Sequence, residues 1–80
     1  MQHPLSTPAL SLFLEYAKDA ENWMGQPLVG GNVSTSAENK GHLTKLKVAG
    51  LINTFSEDGC LWLDFTPEGK ALALDHGISI

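Results

Sequence analysis

Two short runs of strand-type residues, Leu51-Ile52-Asn53-Thr54-Phe55 and Cys60-Leu61-Trp62-Leu63-Asp64-Phe65, flank Ser56-Glu57-Asp58-Gly59. An Asp-Gly pair supplies the positive-φ backbone that a tight antiparallel turn requires, so the two runs are predicted to form a β-hairpin. The hairpin constrains the fold more than any other segment, because side chains alternate between faces with a period of two. Leu61, Leu63 and Phe65 share one face, and Cys60, Trp62 and Asp64 take the other.

Helices are expected on both sides of this hairpin. Thr7 followed by Pro8 reads as an N-cap with proline at the first helical position, opening a helix from Pro8 to about Asn22. Ser11, Glu15, Lys18 and Asn22 form its polar stripe. Leu10, Phe13, Leu14 and Ala17 form one apolar stripe, with Leu12, Tyr16 and Trp23 as another. From Gly25 to Ser34 glycine, proline and asparagine interrupt any periodicity, which predicts turns or at most one helical turn around Leu28 and Val29. Thr35-Ser36-Ala37-Glu38 has capping-box spacing and starts a second helix, which buries Leu43 and Leu46 and ends at Gly50 as C′ residue. Thr66-Pro67-Glu68 caps a short last helix carrying Ala71, Leu72 and Leu74, and Gly77 ends it. The order predicts an α+β fold in one domain over residues 1–80, with a loose start at 1–7 and a tail at 77–80.

The 80 residues include nine acidic and five basic ones, for a formal net charge of −4, and every basic residue is a lysine. No arginine is present for bidentate phosphate or guanine contacts, which excludes a strongly basic nucleic-acid binder. The single cysteine, Cys60, has no internal disulfide partner, and nothing basic precedes the apolar stretch around Leu10 to Leu14. The expectation is a cytoplasmic protein without signal peptide or membrane span. His3, His42, His76 and Cys60 show no metal-ligand spacing, so no metal or cofactor is expected. Cys60 lacks a signature for a base and an oxyanion site, and Glu57, Asp58 and Asp64 read as turn formers and solubilising charge. Gly30-Gly31-Asn32 lacks the later glycine of a phosphate loop. These readings predict a non-enzymatic protein.

The run from Leu43 to Ile52 (Leu-Thr-Lys-Leu-Lys-Val-Ala-Gly-Leu-Ile), the turn at Glu57-Asp58-Gly59 and the run from Phe65 to Leu72 (Phe-Thr-Pro-Glu-Gly-Lys-Ala-Leu) carry a family pattern. Together they resemble the recognition helix, wing and following helix of winged helix-turn-helix proteins of the MarR-like type, over Thr35 to Leu74. The resemblance implies a small winged-helix domain whose second helix enters the DNA major groove while the wing lies along the backbone or minor groove. It implies groove-facing Ser36, Ala37, Lys40, Gly41 and Thr44, Lys45 and Lys47 near phosphates, and a wing tip at Ser56 to Asp58. The function so implied is that of a bacterial or phage transcriptional regulator working as a homodimer.

Read from the residues alone, Lys40, Lys45 and Lys47 form a local positive patch in an acidic protein, either a DNA contact or a solvated helix face. Few phosphate neutralisers make a single copy a weak binder, so useful affinity needs a dimer or a larger partner. The alternative is a winged-helix adaptor or inhibitor that binds protein, favoured by the acidic wing tip and the missing arginine. Leu12, Tyr16, Trp23 and Trp62 are the candidate partner or dimer surface. Their competing role is a satellite cluster under the connection, with Trp62 covered by the first or last helix.

Overall fold

A computed structural model describes residues 5–33 and 36–80. Helix α1 spans Thr7–Asp19 and continues as one 3-10 segment over Ala20–Trp23. Its N-cap is Ser6, one residue before the expected Thr7. Pro8 has no N–H to be capped, so the serine Oγ accepts from Ala9 N at 3.3 Å. The far end turns sharply. Met24 (φ 57°) and Gly25 (φ 95°) are both left-handed, and Gly25 N donates to Ala20 O at 2.8 Å.

Among its described residues, 25–33, the next segment contains no helical turn, contrary to one option left open by its composition. Leu28 instead forms an antiparallel bridge to Trp62, flanked by Val29 N to Leu61 O and Leu63 N to Pro27 O, both 2.9 Å. Residues 27–29 thus run beside β2 through a single isolated bridge, and 29–33 proceed through turns and bends. The expected Thr35 cap lies outside the described residues. Helix α2, Ala37–Val48, is capped by Ser36, whose Oγ accepts from Asn39 N at 3.2 Å.

Strands β1 (Ile52–Glu57) and β2 (Cys60–Phe65) pair antiparallel with Glu57 opposite Cys60, so the turn is only Asp58-Gly59. Both turn residues have positive φ, 54° and 77°, which makes it the type I′ turn whose twist suits a hairpin. β2 lies between β1 and 27–29. Helix α3, Pro67–Asp75, follows its Thr66 cap directly. The element order is helix, connection, helix, hairpin, helix, an α+β arrangement compatible with a small winged-helix-like fold.

Leu12, Phe13, Tyr16 and Ala17 of α1 meet Leu43 and Leu46 of α2, Leu51, Ile52, Leu63, Phe65 and Ala73 in one core. Phe13 and Phe65 pack edge to face with centroids 5.7 Å apart. The register puts Ile52, Phe65 and Leu63 on the core face, as the alternation predicted. Leu12 and Tyr16 are 2% and 0% exposed. They therefore belong to the core and not to the partner surface expected for them, because the second apolar stripe of α1 is buried in the same cluster as the first. No helix among the described residues is long and apolar enough to cross a membrane.

The corner between α2 and α3 explains why the Ala49-Gly50-Leu51 and Phe65-Thr66-Pro67-Glu68-Gly69 segments go together. Gly50 (φ 77°) ends α2 in a Schellman motif: Leu51 N donates to Leu46 O at 3.1 Å and Gly50 N to Lys47 O at 3.0 Å. Thr66 then grips this corner. Its Oγ1 donates to Gly50 O at 2.6 Å and its N to Leu51 O at 3.1 Å, while Oγ1 also caps α3 by accepting from Gly69 N. A Cβ on Gly69 would overlap the Leu51 carbonyl, so only glycine lets α3 sit this close.

Candidate nucleic-acid interface

Helix α2 carries lysines at positions 40, 45 and 47, and its buried side is set by Leu43 and Leu46. With 100° per residue, Lys40, Thr44 and Lys47 fall on one edge of the exposed arc and Lys45 on the opposite edge. The structure follows this division. Lys40, Leu43, Thr44 and Lys47 line one wall of a groove of about 380 Å³, whose other walls are Val29 of the connection and Thr54 and Leu61 of the two strands. The groove lies on the core side of the sheet, between α2 and the hairpin, and no carboxylate lines it.

The remaining expected contacts are placed less directly. Ser36 sits at the N-terminus of α2 and is exposed, with its Oγ accepting a backbone hydrogen bond as cap. Thr44 Oγ1 donates to Lys40 O at 3.1 Å, so its proton serves the helix rather than the groove. Gly41 is exposed, and a Cβ there would meet nothing within 4 Å. Lys45 and Lys47 lie in the last turn, where a cation complements the helix dipole with or without a ligand. Lys40 has no such reason for its place. The wing tip, Glu57 and Asp58, is exposed and acidic.

Behind this face lies an arrangement that the sequence reading missed. Asp19, 7% exposed, accepts from Asn32 Nδ2 at 2.8 Å and Asn22 Nδ2 at 3.1 Å through Oδ1, and from Trp23 Nε1 at 2.9 Å through Oδ2. Burial alone would raise its pKa, but the bonds from Asn32, Asn22 and Trp23 outweigh that and hold the carboxyl below its ordinary value. The clasp fixes the connection against the end of α1, and so fixes the bridged segment that forms the groove wall at Val29. Asp19, Asn22 and Trp23 have i, i+3, i+4 spacing, a signal present in the sequence; Asn32 is joined to them only by the fold. The Tyr16 hydroxyl nearby is fully buried without a hydrogen bond, and burial, partly countered by the Gly30 backbone, raises its pKa.

Trp23 and Trp62 meet edge to face, with centroids 5.7 Å apart and planes at 69°. Trp62 is thus covered on one side by Trp23 of the 3-10 turn. Both tryptophans remain half-buried. Cys60 is exposed as a free thiol. Among the described residues no three His, Cys, Asp or Glu gather as metal ligands. The chain matches no protein-family model, no curated protein and no solved structure.

Proposed function

We propose that this protein is a non-enzymatic winged-helix DNA-binding protein, a small transcriptional regulator of bacterial or phage type, that engages the duplex through α2 and the groove beside it. The observation that carries the reading is the pairing of Lys40 and Lys47 along a groove lined by no carboxylate, in a chain whose net charge is −4. Two turns of helix set the two lysines about 10 Å apart along the axis, enough to reach two phosphates of one backbone. The MarR-like pattern from Leu43 to Leu72 supports the same assignment of recognition helix and wing. One departure is structural: residues 28–33 form no scaffold helix before α2, and α1 packs against α2 instead. With so few cations a single copy binds weakly, and a homodimer on one duplex supplies the affinity.

The test is fluorescence anisotropy of a labelled mixed-sequence duplex across a salt series, with sedimentation on the same sample. A log–log salt slope of about −2 to −3 per copy is expected from two or three lysine contacts. Lys40→Glu with Lys47→Glu should abolish binding while the fold, read by circular dichroism, stays intact. Lys70→Glu on α3 should leave binding nearly unchanged. Equal binding by the double variant, or no binding by the native chain at low salt, overturns the proposal.

A further inference from the structure

The opposite side of the sheet has its own chemistry. Leu28 bridges Trp62 and Phe55 pairs with it from β1, so the three form one row on the face away from the core. All three are half-buried. Trp23 abuts this row through Trp62, and Met24, the next residue, is 99% exposed on a left-handed backbone (φ 57°) that costs a long side chain energy. Four large apolar residues, Leu28, Phe55, Trp62 and Trp23, two of them tryptophan, thus lie together outside the core, with Met24 fully exposed next in sequence to Trp23.

The polar groups around them select the partner. Trp23 Nε1 already donates to Asp19, and Trp62 Nε1 donates to the Glu57 carbonyl at 3.3 Å, so neither indole N–H is left to recognise an acceptor. What the face offers is π surface and carboxylate. Asp64 lies two residues from Trp62 on the same side and holds only a 3.5 Å contact to Gln26 Nε2, and Glu57 lies on that side toward the turn. No lysine belongs to this face of β1 or β2. A second copy placed here about a two-fold axis would set these carboxylates against their own counterparts, which disfavours self-association. A guanidinium has the complementary properties: it donates only, is cationic, and stacks on indole while pairing with a carboxylate beside it.

We propose that the outer face of the hairpin, centred on Trp62 between Asp64 and Glu57, docks an arginine-bearing segment of another protein, with Phe55 and Leu28 taking the apolar side chains next to that arginine. This site lies across the sheet from the lysine groove, so both faces are open at once, and the docking does not depend on DNA binding.

The test titrates the whole chain, without DNA, with a capped peptide alternating arginine and leucine, and with the same peptide carrying glutamate for arginine. Binding is followed by the amide and indole N–H signals in NMR spectra. The arginine peptide should shift the Trp23 and Trp62 indole signals and bind about fivefold more weakly to Asp64→Asn, the size expected for an exposed cation–π and charge contact. Trp62→Leu should weaken it further, and Glu15→Gln on the exposed face of α1 should not. Because Asp64→Asn keeps the shape of the side chain, it decides the matter even where Trp62→Leu disturbs the fold. No binding, shifts confined to α1 or α3, or concentration-dependent indole shifts without peptide, which would make a second copy the occupant, each overturn the proposal.

Discussion

At the junction of α2 and α3 the backbone itself makes the contact, whereas at the end of α1 a single carboxylate gathers side chains from three positions. In the first junction Thr66 bonds the carbonyls of Gly50 and Leu51, and the bare α-carbon of Gly69 admits the Leu51 oxygen. In the second, Asp19 collects Asn22, Trp23 and Asn32. The difference lies in how each fails. A backbone contact has no rotamers to adjust, so an added methyl group displaces a whole helix; a carboxylate clasp loses hydrogen bonds one at a time and depends on pH.

Substitutions should separate the two junctions in order of cost. Gly69→Ala forces its methyl group against the Leu51 carbonyl and is expected to lose about 3 kcal/mol or more, read as a large drop in the urea midpoint. A loss below about 1 kcal/mol would mean that α3 shifts freely and that the corner is not rigid. Asp19→Ala leaves an indole N–H and two amides without their shared acceptor and should cost about 2–3 kcal/mol.

The clasp also has a pH signature. Because the folded Asp19 carboxyl titrates below its unfolded value of about 3.9, its contribution is full above that value and is lost as pH falls through the folded one. Asp19→Asn should therefore be less stable at neutral pH and show a shallower decline in acid; an identical acid profile would remove the clasp from the stability of the fold. Smaller effects are expected from two other glycines. Gly50→Ala puts a side chain on the left-handed residue that ends α2 and should cost about 1 kcal/mol. Gly41→Ala, on an open helix surface, should stabilise by about 0.5–1 kcal/mol. Destabilisation there would show that α2 is held in a conformation its own propensity does not favour.

The same contrast explains what could be read in advance. Gly50, Asp58-Gly59 and Thr66-Pro67 announce backbone conformations that few other residues adopt, so the end of α2, the hairpin and the start of α3 were legible in order and in register. The connection was not. Its bridge to β2 depends on Leu28 meeting Trp62 across 34 positions of chain, and no local pattern encodes that meeting. Leu12 and Tyr16 looked like surplus apolar surface because one helix seen alone does not show that the rest of the chain will bury both of its stripes. Of the candidate interface, the lysines of α2 were visible as a cluster, but their division into a groove pair, Lys40 and Lys47, and an outlying Lys45 needed the helix to be set against the strands.

The hairpin also separates charge by side, with the ammonium groups of α2 along the groove and carboxylates around Trp62. The molecule measures 36 × 26 × 17 Å, and in physiological salt a charge is felt over only about 8 Å. Its shortest dimension is thus about two screening lengths, so an approaching partner responds to the side it touches and hardly to the sum. To a distant ion in dilute buffer this protein is an anion; at contact it is two surfaces of opposite sign, and raising the salt should weaken each of them independently of the other.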